Sequence, residues 1–162
     1  MEYSFNNPSK RYLQNIEFYK KMHNEGFKLS NGKVRNKEEA YNGMATAQYA
    51  HIIKNIIEKN NISSMLEYGC GKAYYYKEKF KIQGKIVPPL EEYWGVDINL
   101  YDPCYEKFDK YPETSIDLSI CIDVLEHIPQ EDIDWVLNKL LSNTNKFSFL
   151  NVACYSSLAT LP

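Results

Sequence analysis

The stretch MLEYGCGKAYYY, Met65 to Tyr76, decides which fold the sequence predicts. The apolar residues before Gly69 are typical of a buried β-strand, and the Gly-x-Gly sequence after them is typical of a tight turn. Such a turn after a strand commonly brings the backbone against a nucleotide-like ligand. The carboxylate of Glu67, two residues before the turn, narrows the choice of ligand.

Two known glycine patterns do not fit this turn. The phosphate-binding pattern G-x-x-x-x-G-K-[ST] is absent from the sequence, and the dinucleotide pattern G-x-G-x-x-G would need a glycine where Tyr74 stands. A pyrophosphate also requires positive potential, which Glu67 opposes. A ligand with an ammonium and a sulfonium group is instead attracted to this carboxylate. S-adenosylmethionine is such a ligand, and Gly69 and Gly71 would let the backbone approach its methionine portion.

Asp97 stands at the end of the stretch YWGVDI, 26 residues after Gly71. We expect residues 93–98 to form the next strand, with Asp97 at its end accepting hydrogen bonds from ribose hydroxyls. A helix cap or a turn residue is the alternative for an isolated aspartate. The combination of Asp97 with Glu67 and the two glycines favours the ribose-binding role over a cap or turn role.

Strand and helix patterns alternate along the chain after residue 37. Strands are expected at 62–68, 93–98, 105–108, 116–122 and 146–152, and helices at 12–24, 37–60, 74–81 and 131–143. Such alternation predicts an α/β fold with a doubly wound, mostly parallel Rossmann-like sheet and helices on both faces. Ligands of these sheets bind beyond the carboxyl ends of the strands.

Three blocks, MLEYGCGKA, GVDIN and IDLSICIDVLEHIP, in this order and spacing, resemble the class I S-adenosylmethionine-dependent methyltransferases over residues 40–155. From the first block, the resemblance implies that Glu67, Gly69 and Gly71, with Cys70 between the glycines, hold the methionine portion of S-adenosylmethionine. S-adenosylhomocysteine would be the product.

The other two blocks supply the remaining cofactor contacts that the resemblance implies. Asp97 would hold the ribose and Ile98 would lie against the adenine. Asp123, which closes a later strand, would lie beside the methionine end. Ala73 stands where the family often has a third glycine. The family's sheet has seven strands, whereas five are expected here, so the C-terminal strands are predicted to be missing.

The block DVLEHIP, Asp123 to Pro129, allows three interpretations. Glu126 and His127 could cap the next element or bond to the backbone. His127 could instead be the catalytic base for an acceptor hydroxyl or amine, since its ordinary pKa suits proton transfer near neutrality. In the third interpretation Asp123, Glu126 and His127 bind a divalent cation, as in some relatives. We do not favour a metal, because a further histidine ligand is not evident downstream.

The predicted function is methyl transfer to an unidentified O, N or C acceptor. A module that binds S-adenosylmethionine without turnover is the first alternative. A nicotinamide-dependent oxidoreductase is the second, although Glu67 and Tyr74 argue against it. The acceptor and the oligomeric state are open, and nucleic acid is not excluded as a partner.

The N-terminal residues differ in charge from the rest of the chain. Residues 1–37 carry eight Lys or Arg against three Asp or Glu, and the remainder carries eleven against eighteen. We interpret residues 1–36 as a basic, aromatic arm or lid on an S-adenosylmethionine-binding domain at 37–162. Its bases, Lys20, Lys21, Lys28, Lys33 and Arg35, favour an anionic acceptor, and a solvated helical face is the alternative.

Composition indicates an ordinary globular protein, with 44% hydrophobic and 25% charged residues. The apolar runs are too short to span a bilayer, and the first residues lack a signal-peptide pattern. The four cysteines contain no CxxC pair, which argues against a structural zinc site and a disulfide framework. We therefore expect a cytoplasmic protein with reduced thiols.

Overall fold

A computed structural model describes residues 2–154 of the chain. Its helices and strands alternate along most of this length. In chain order they are α1 (Lys10–Glu25), β1 (Phe27–Lys28), β2 (Val34–Arg35), α2 (Met44–Gln48), α3 (Ala50–Lys59), β3 (Ser64–Tyr68), β4 (Phe80–Ile82), β5 (Lys85–Val87), α4 (Leu90–Trp94), β6 (Asp97–Tyr101), β7 (Ile116–Ile122), α5 (Ile133–Ser142) and β8 (Thr144–Asn151).

Four of these strands form a parallel central sheet in the order β6-β3-β7-β8. The chain moves from β3 to one side to form β6, and then to the other side of β3 to form β7. The direction of winding therefore reverses between β3 and β7. The strand pairs β1–β2 and β4–β5 are separate antiparallel hairpins. The predicted α/β class and parallel sheet are confirmed.

Hydrophobic cores flank the central sheet, because successive residues of a strand point to opposite faces. Met65 packs in a cluster with Ile53 of α3 and Trp94 of α4. Its neighbour Leu66 packs in a second cluster, with Val136 of α5. All seven residues of β7 are buried, including the polar Asp117 and Ser119, so both faces of this strand are covered.

A buried carboxylate joins the N-terminal helix to α5. Asp132, at the N-cap of α5, is fully buried and accepts hydrogen bonds from the backbone N–H of Ser9 at 2.9 Å, from the Ser9 hydroxyl and from Trp135 Nε1 at 2.7 Å. The Ser9 hydroxyl oxygen in turn accepts from the backbone N–H of Tyr12 and caps α1. The arm is thus held against the sheet domain at the point where α1 begins.

The strand predicted at 93–98 is wrong in its position. Tyr93 and Trp94 close α4, Gly95 follows in the left-handed conformation at φ +65°, and β6 begins only at Asp97. Because β6 runs parallel to β3, its first residue lies at the amino edge of the sheet. Asp97 therefore begins the strand that it is predicted to end.

Two other predicted elements are also wrong. Residues Glu106–Phe108 form a 3-10 turn instead of a strand, and the helix predicted at 74–81 is reduced to a 3-10 turn at Tyr74–Tyr76. The hairpin β4–β5 follows, closed by Gln83 and Gly84, which both have positive φ.

The remaining predictions of secondary structure agree with the structure. The strands at 62–68, 116–122 and 146–152 and the helices at 12–24 and 131–143 are confirmed to within two residues of each end, and the helix at 37–60 is present only as α2 and α3. Residues 155–162, the last part of the predicted domain, lie outside the described residues. Among residues 2–154, no helix combines the length and the apolar character needed to cross a membrane.

We predict that Asp132→Ala lowers the free energy of unfolding by about 3 kcal/mol, because it leaves the buried N–H groups of Ser9 and Trp135 without acceptors. Urea unfolding measures this change. The matched control is Asp134→Ala on the exposed side of the same helix, for which we expect a loss of about 0.5 kcal/mol or less. Equal losses in the two variants would contradict the role of Asp132.

Candidate functional site

A cavity of about 530 Å³ lies where the winding of the sheet reverses, at the carboxyl ends of the strands. Its floor consists of the residues that follow β3, β6 and β7, and its roof consists of α1, the β1–β2 hairpin and the segment before α3. The floor includes Gly69, Cys70, Gly71, Asp102, Pro103, Cys104, Asp123, Val124, Glu126 and His127, and the roof includes Tyr12, Asn15, Ile16, Tyr19, His23, Phe27, Arg35, Tyr41 and Thr46.

The register between β3 and β6 brings the glycine turn beside Asp102. Tyr68 pairs with Tyr101, so Gly69 and Asp102 are the next residues of two neighbouring strands. The carboxylate of Asp102 accepts hydrogen bonds from the backbone N–H groups of Gly71 and Cys104, each at 2.8 Å. Burial raises the pKa of Asp102, and these two N–H groups act in the opposite direction.

Both glycines are required by the packing of the chain itself. Gly71 has φ +58°, and a Cβ there would lie 2.2 Å from the carbonyl oxygen of Tyr41. Gly69 has φ +82°, and a Cβ there would lie 2.3 Å from Val124 Cγ2. The turn therefore packs tightly against the roof and against the residues after β7, in addition to the predicted approach of a ligand.

Glu67 lies beneath the turn and does not line the cavity. The side chain is almost fully buried, and its two oxygens accept hydrogen bonds from the hydroxyls of Thr46 and Tyr76. Burial raises the pKa of Glu67 from 4.5 to about 7, and the two hydroxyl donors lower it. Its predicted attraction for a cationic ligand stays a prediction, and its contacts tie α2 and the 3-10 turn to β3.

Asp97 and Ile98 lie away from the other predicted site residues. Asp97 is exposed at the amino edge of the sheet, and Ile98 packs beside the core that contains α3. Neither residue lines the cavity. Asp102, which the sequence-based set omits, is the acid at the carboxyl end of β6. It could have been found by noting that the apolar pattern of DINLYD continues past Asp97 to a second aspartate.

Asp123, Glu126 and His127 all line the cavity after β7. Asp123 has φ +54°, which turns the chain sharply at the end of the strand. Burial and Glu126 raise the pKa of Asp123, and His127 lowers it. One oxygen of Glu126 accepts from the backbone N–H of Ala153 at 3.2 Å. Within residues 2–154, no group of three or more His, Cys, Asp or Glu side chains is arranged to hold a metal ion.

The roof is aromatic and is joined to the floor at both ends. Asn15 Nδ2 donates to the carbonyl oxygen of His127 at 3.2 Å, and the ring of Tyr19 lies 5.6 Å from that of His127. Toward the other end of α1, His23 stacks on Tyr105 with 5.3 Å between ring centroids.

A lysine next to the glycine turn also anchors the roof. Lys72 Nζ donates to the carbonyl oxygens of His23 at 2.8 Å, Ala40 at 3.1 Å and Lys37. These contacts join the end of α1 and the segment before α2 to the turn after β3. Residues of the predicted arm thus cover the cavity.

Carboxyl groups outnumber cations along the cavity wall. Asp102, Asp123 and Glu126 line it, whereas Arg35 is the one lysine or arginine among the described lining residues. Burial and Lys72 lower the pKa of His23 to about 4, so this imidazole is neutral near pH 7. Of the basic residues in the arm that favour an anionic acceptor, only Arg35 lines this cavity. The wall therefore favours a cationic ligand over an anionic one.

Comparisons of this chain with known protein families, with curated proteins and with solved structures find no match. The site is therefore interpreted from its own geometry.

We predict that the free energy of unfolding falls as the pH rises from about 4.5 to about 7, because Glu67 keeps its proton in the folded chain and loses it in the unfolded one. A pKa of about 7 in the fold against 4.5 corresponds to a loss of about 3 kcal/mol across this range. In Glu67→Gln this part of the pH dependence is absent. Urea unfolding at a series of pH values compares the two proteins.

The control for this experiment is Glu78→Gln, at an exposed carboxylate just after the Tyr74–Tyr76 turn. We expect it to keep the pH profile of the unchanged chain. A Glu67→Gln profile with the same slope as that of the unchanged chain would contradict the raised pKa of Glu67.

Proposed function

We propose that this chain is an S-adenosylmethionine-dependent methyltransferase. The observation that carries the proposal is the hydrogen bond between the Gly71 N–H and the Asp102 carboxylate at the carboxyl edge of a parallel sheet. It places a glycine turn and an acidic residue from two adjacent strands on one cavity wall, where the winding of the sheet reverses. A nucleoside with a cationic substituent fits this pair of groups.

The residues present fit such a cofactor. The cavity volume of about 530 Å³ falls within the roughly 300–1,000 Å³ of small-molecule sites. The Asp102 carboxylate has about four lone-pair sites and uses two of them for Gly71 and Cys104, so the others are left for ribose hydroxyls. We assign the ribose to Asp102, the adenine to the neighbouring residues Pro103 and Cys104, and the methionine end to Asp123.

The turn also argues against a pyrophosphate ligand. Tyr74–Tyr76 form only one 3-10 turn, so the described chain offers no long helix whose N-terminal N–H groups could bind phosphate oxygens at this turn. The carboxyl groups of Asp102, Asp123 and Glu126 would repel a diphosphate. A nicotinamide dinucleotide is therefore a poorer fit than a sulfonium nucleoside.

S-adenosylmethionine, when bound, supplies a methyl group whose carbon–sulfur bond breaks with both electrons going to sulfur. The chain contributes position and proton transfer. The backbone of the glycine turn and Asp102 orient the nucleoside, and the aromatic roof excludes water. His127 takes the proton that the acceptor releases as its lone pair forms the new bond to carbon. We further infer that the sheet is the doubly wound type, since its winding reverses beside β3.

We predict that the chain binds S-adenosylhomocysteine in titration calorimetry with micromolar affinity and that Asp102→Asn weakens binding by at least about tenfold. The asparagine keeps one oxygen to accept from the Gly71 N–H but loses the acceptor for the Cys104 N–H, so thermal melting checks that the variant is folded before its binding is compared. Asp97→Asn, at the opposite edge of the same strand, is the matched control and should bind as the unchanged chain does. Absence of binding by folded protein, or a loss confined to Asp97→Asn, would refute the proposal.

We also predict that S-adenosylhomocysteine slows amide hydrogen exchange in α1 and in the β1–β2 hairpin, because both roof elements line the cavity. Mass spectrometry of the exchanged peptides measures this effect. The β4–β5 hairpin contributes no residue to the cavity and serves as an internal control. Unchanged exchange throughout residues 10–36 would show that the roof does not cover the ligand.

A further inference from the structure

A second cavity shares part of its lining with the first at the residues after β7. Its volume is about 610 Å³, and it lies between the outer side of α1 and residues 126–130. Asn15, Glu126, His127 and Ile128 line both cavities. The Asn15 amide bonds to the carbonyl oxygen of His127, so this junction is a fixed part of the wall between α1 and the floor. Glu126 and His127 therefore lie in the wall that the two cavities share.

Glu126 presents an acceptor without a partner at this junction. Its Oε2 is buried and has no hydrogen-bond partner among residues 2–154, although Oε1 accepts from the backbone of Ala153. A buried carboxylate oxygen without a donor costs free energy that a donor on a ligand would recover. An N–H or O–H group satisfies this requirement, and a carboxylate or phosphate does not. Among these donors the carboxyl groups of the cavity wall favour the cationic ammonium.

Neither arginine that lines the two cavities is a buried cation at the junction. Arg35 belongs to β2, which follows the C-terminal end of α1, whereas Asn15 lies near the helix start. Arg11 lines the second cavity but is exposed, so solvent screens its charge. An anionic acceptor would therefore find no buried positive partner beside Glu126.

The side of the junction that α1 supplies carries aromatic and aliphatic side chains beside the polar Arg11, Gln14 and Asn15. Tyr12, Ile16 and Tyr19 of α1 line the first cavity, and Phe18 lines the second. Burial raises the pKa of Tyr12 to about 12 and that of Tyr19 further, so both phenols stay neutral at physiological pH. Such a wall accommodates an aromatic or other planar group by stacking and edge contacts.

We propose that the methyl acceptor is an amine carried on a planar apolar group, with its N–H bonded to Glu126 Oε2 at the junction of the two cavities. This inference rests on the proposed methyltransferase function. An ammonium first loses a proton to solvent, and His127 is then free to accept the proton released in the transfer. The nitrogen lone pair then forms a bond to the methyl carbon while the carbon–sulfur bond breaks toward sulfur, and one N–H proton passes to His127. The acceptor site lies on the α5 side of the nucleoside, and Glu126 positions the nitrogen.

The test uses three probes that share a ring and differ in charge: tyramine, 4-ethylphenol and 3-(4-hydroxyphenyl)propionate. Each is titrated by calorimetry at neutral pH into protein saturated with S-adenosylhomocysteine. We expect tyramine to bind at least about tenfold more tightly than the propionate, and Glu126→Gln to reduce this ratio to within about threefold. Glu131→Gln, at an exposed carboxylate outside both cavities, should keep the ratio.

A second variant tests how packing against the ring of the probe contributes to binding, independently of the charge of the probe. Tyr19→Leu should weaken all three probes to a similar degree and leave their ratio unchanged. Thermal melting of each variant checks that it is folded. Equal or tighter binding of the propionate, absence of binding by all three probes, or a preference for tyramine that survives Glu126→Gln would overturn the proposal.

The same titrations distinguish this proposal from the proposed function. S-adenosylhomocysteine binding is measured first in the same preparation, and its absence from folded protein would refute the methyltransferase assignment. Titration of the three probes into protein without S-adenosylhomocysteine then still tests whether Glu126 prefers an amine. Binding of S-adenosylhomocysteine together with a preference for the propionate would refute the amine acceptor alone.

Discussion

The parallel pairing of β3 with β6 is the constraint on which the candidate site depends. Tyr68 lies opposite Tyr101, so the two strands end together and the residues after them share one wall. The carbonyl oxygen of Tyr101 accepts from the backbone N–H of Gly69 at 2.7 Å, and the Asp102 carboxylate accepts from that of Gly71. A slip of this register by one residue would turn the side chains of β6 to the opposite faces and separate these groups.

Three buried carboxyl groups in this fold are partnered by neutral donors. Asp102 accepts from backbone N–H groups, Glu67 from two hydroxyls, and Asp132 from a hydroxyl, an indole and the backbone. Among the described residues none of the three forms an ion pair. Neutral donors satisfy the oxygens without bringing a positive charge beside them. The carboxylates beside the cavity therefore contribute negative potential in a region of low dielectric constant.

The parts of the fold that depend on local sequence could be predicted, and those that depend on distant contacts could not. The β-branched isoleucines of IDLSICI predict the bounds of β7, and these bounds are confirmed without change. Asp97 is misassigned because YWGVDI carries apolar residues on both sides of Gly95. Pro89 before α4 and the left-handed Gly95 after it are the signals of a short helix at this point. The aromatic roof follows from contacts such as Tyr19 with His127, which no local pattern encodes.

The four cysteines of the chain differ in exposure, and this difference has a practical consequence. Cys70 and Cys121 are buried, Cys104 is half-buried, and burial raises the thiol pKa of all three. Cys154 is exposed and follows Ala153, which lines the cavity. Because thiolates and not thiols react with maleimides, a dye should attach at Cys154 in preference to the other three. The natural chain thus offers a single labelling position beside the cavity, where fluorescence can report ligand binding without any substitution.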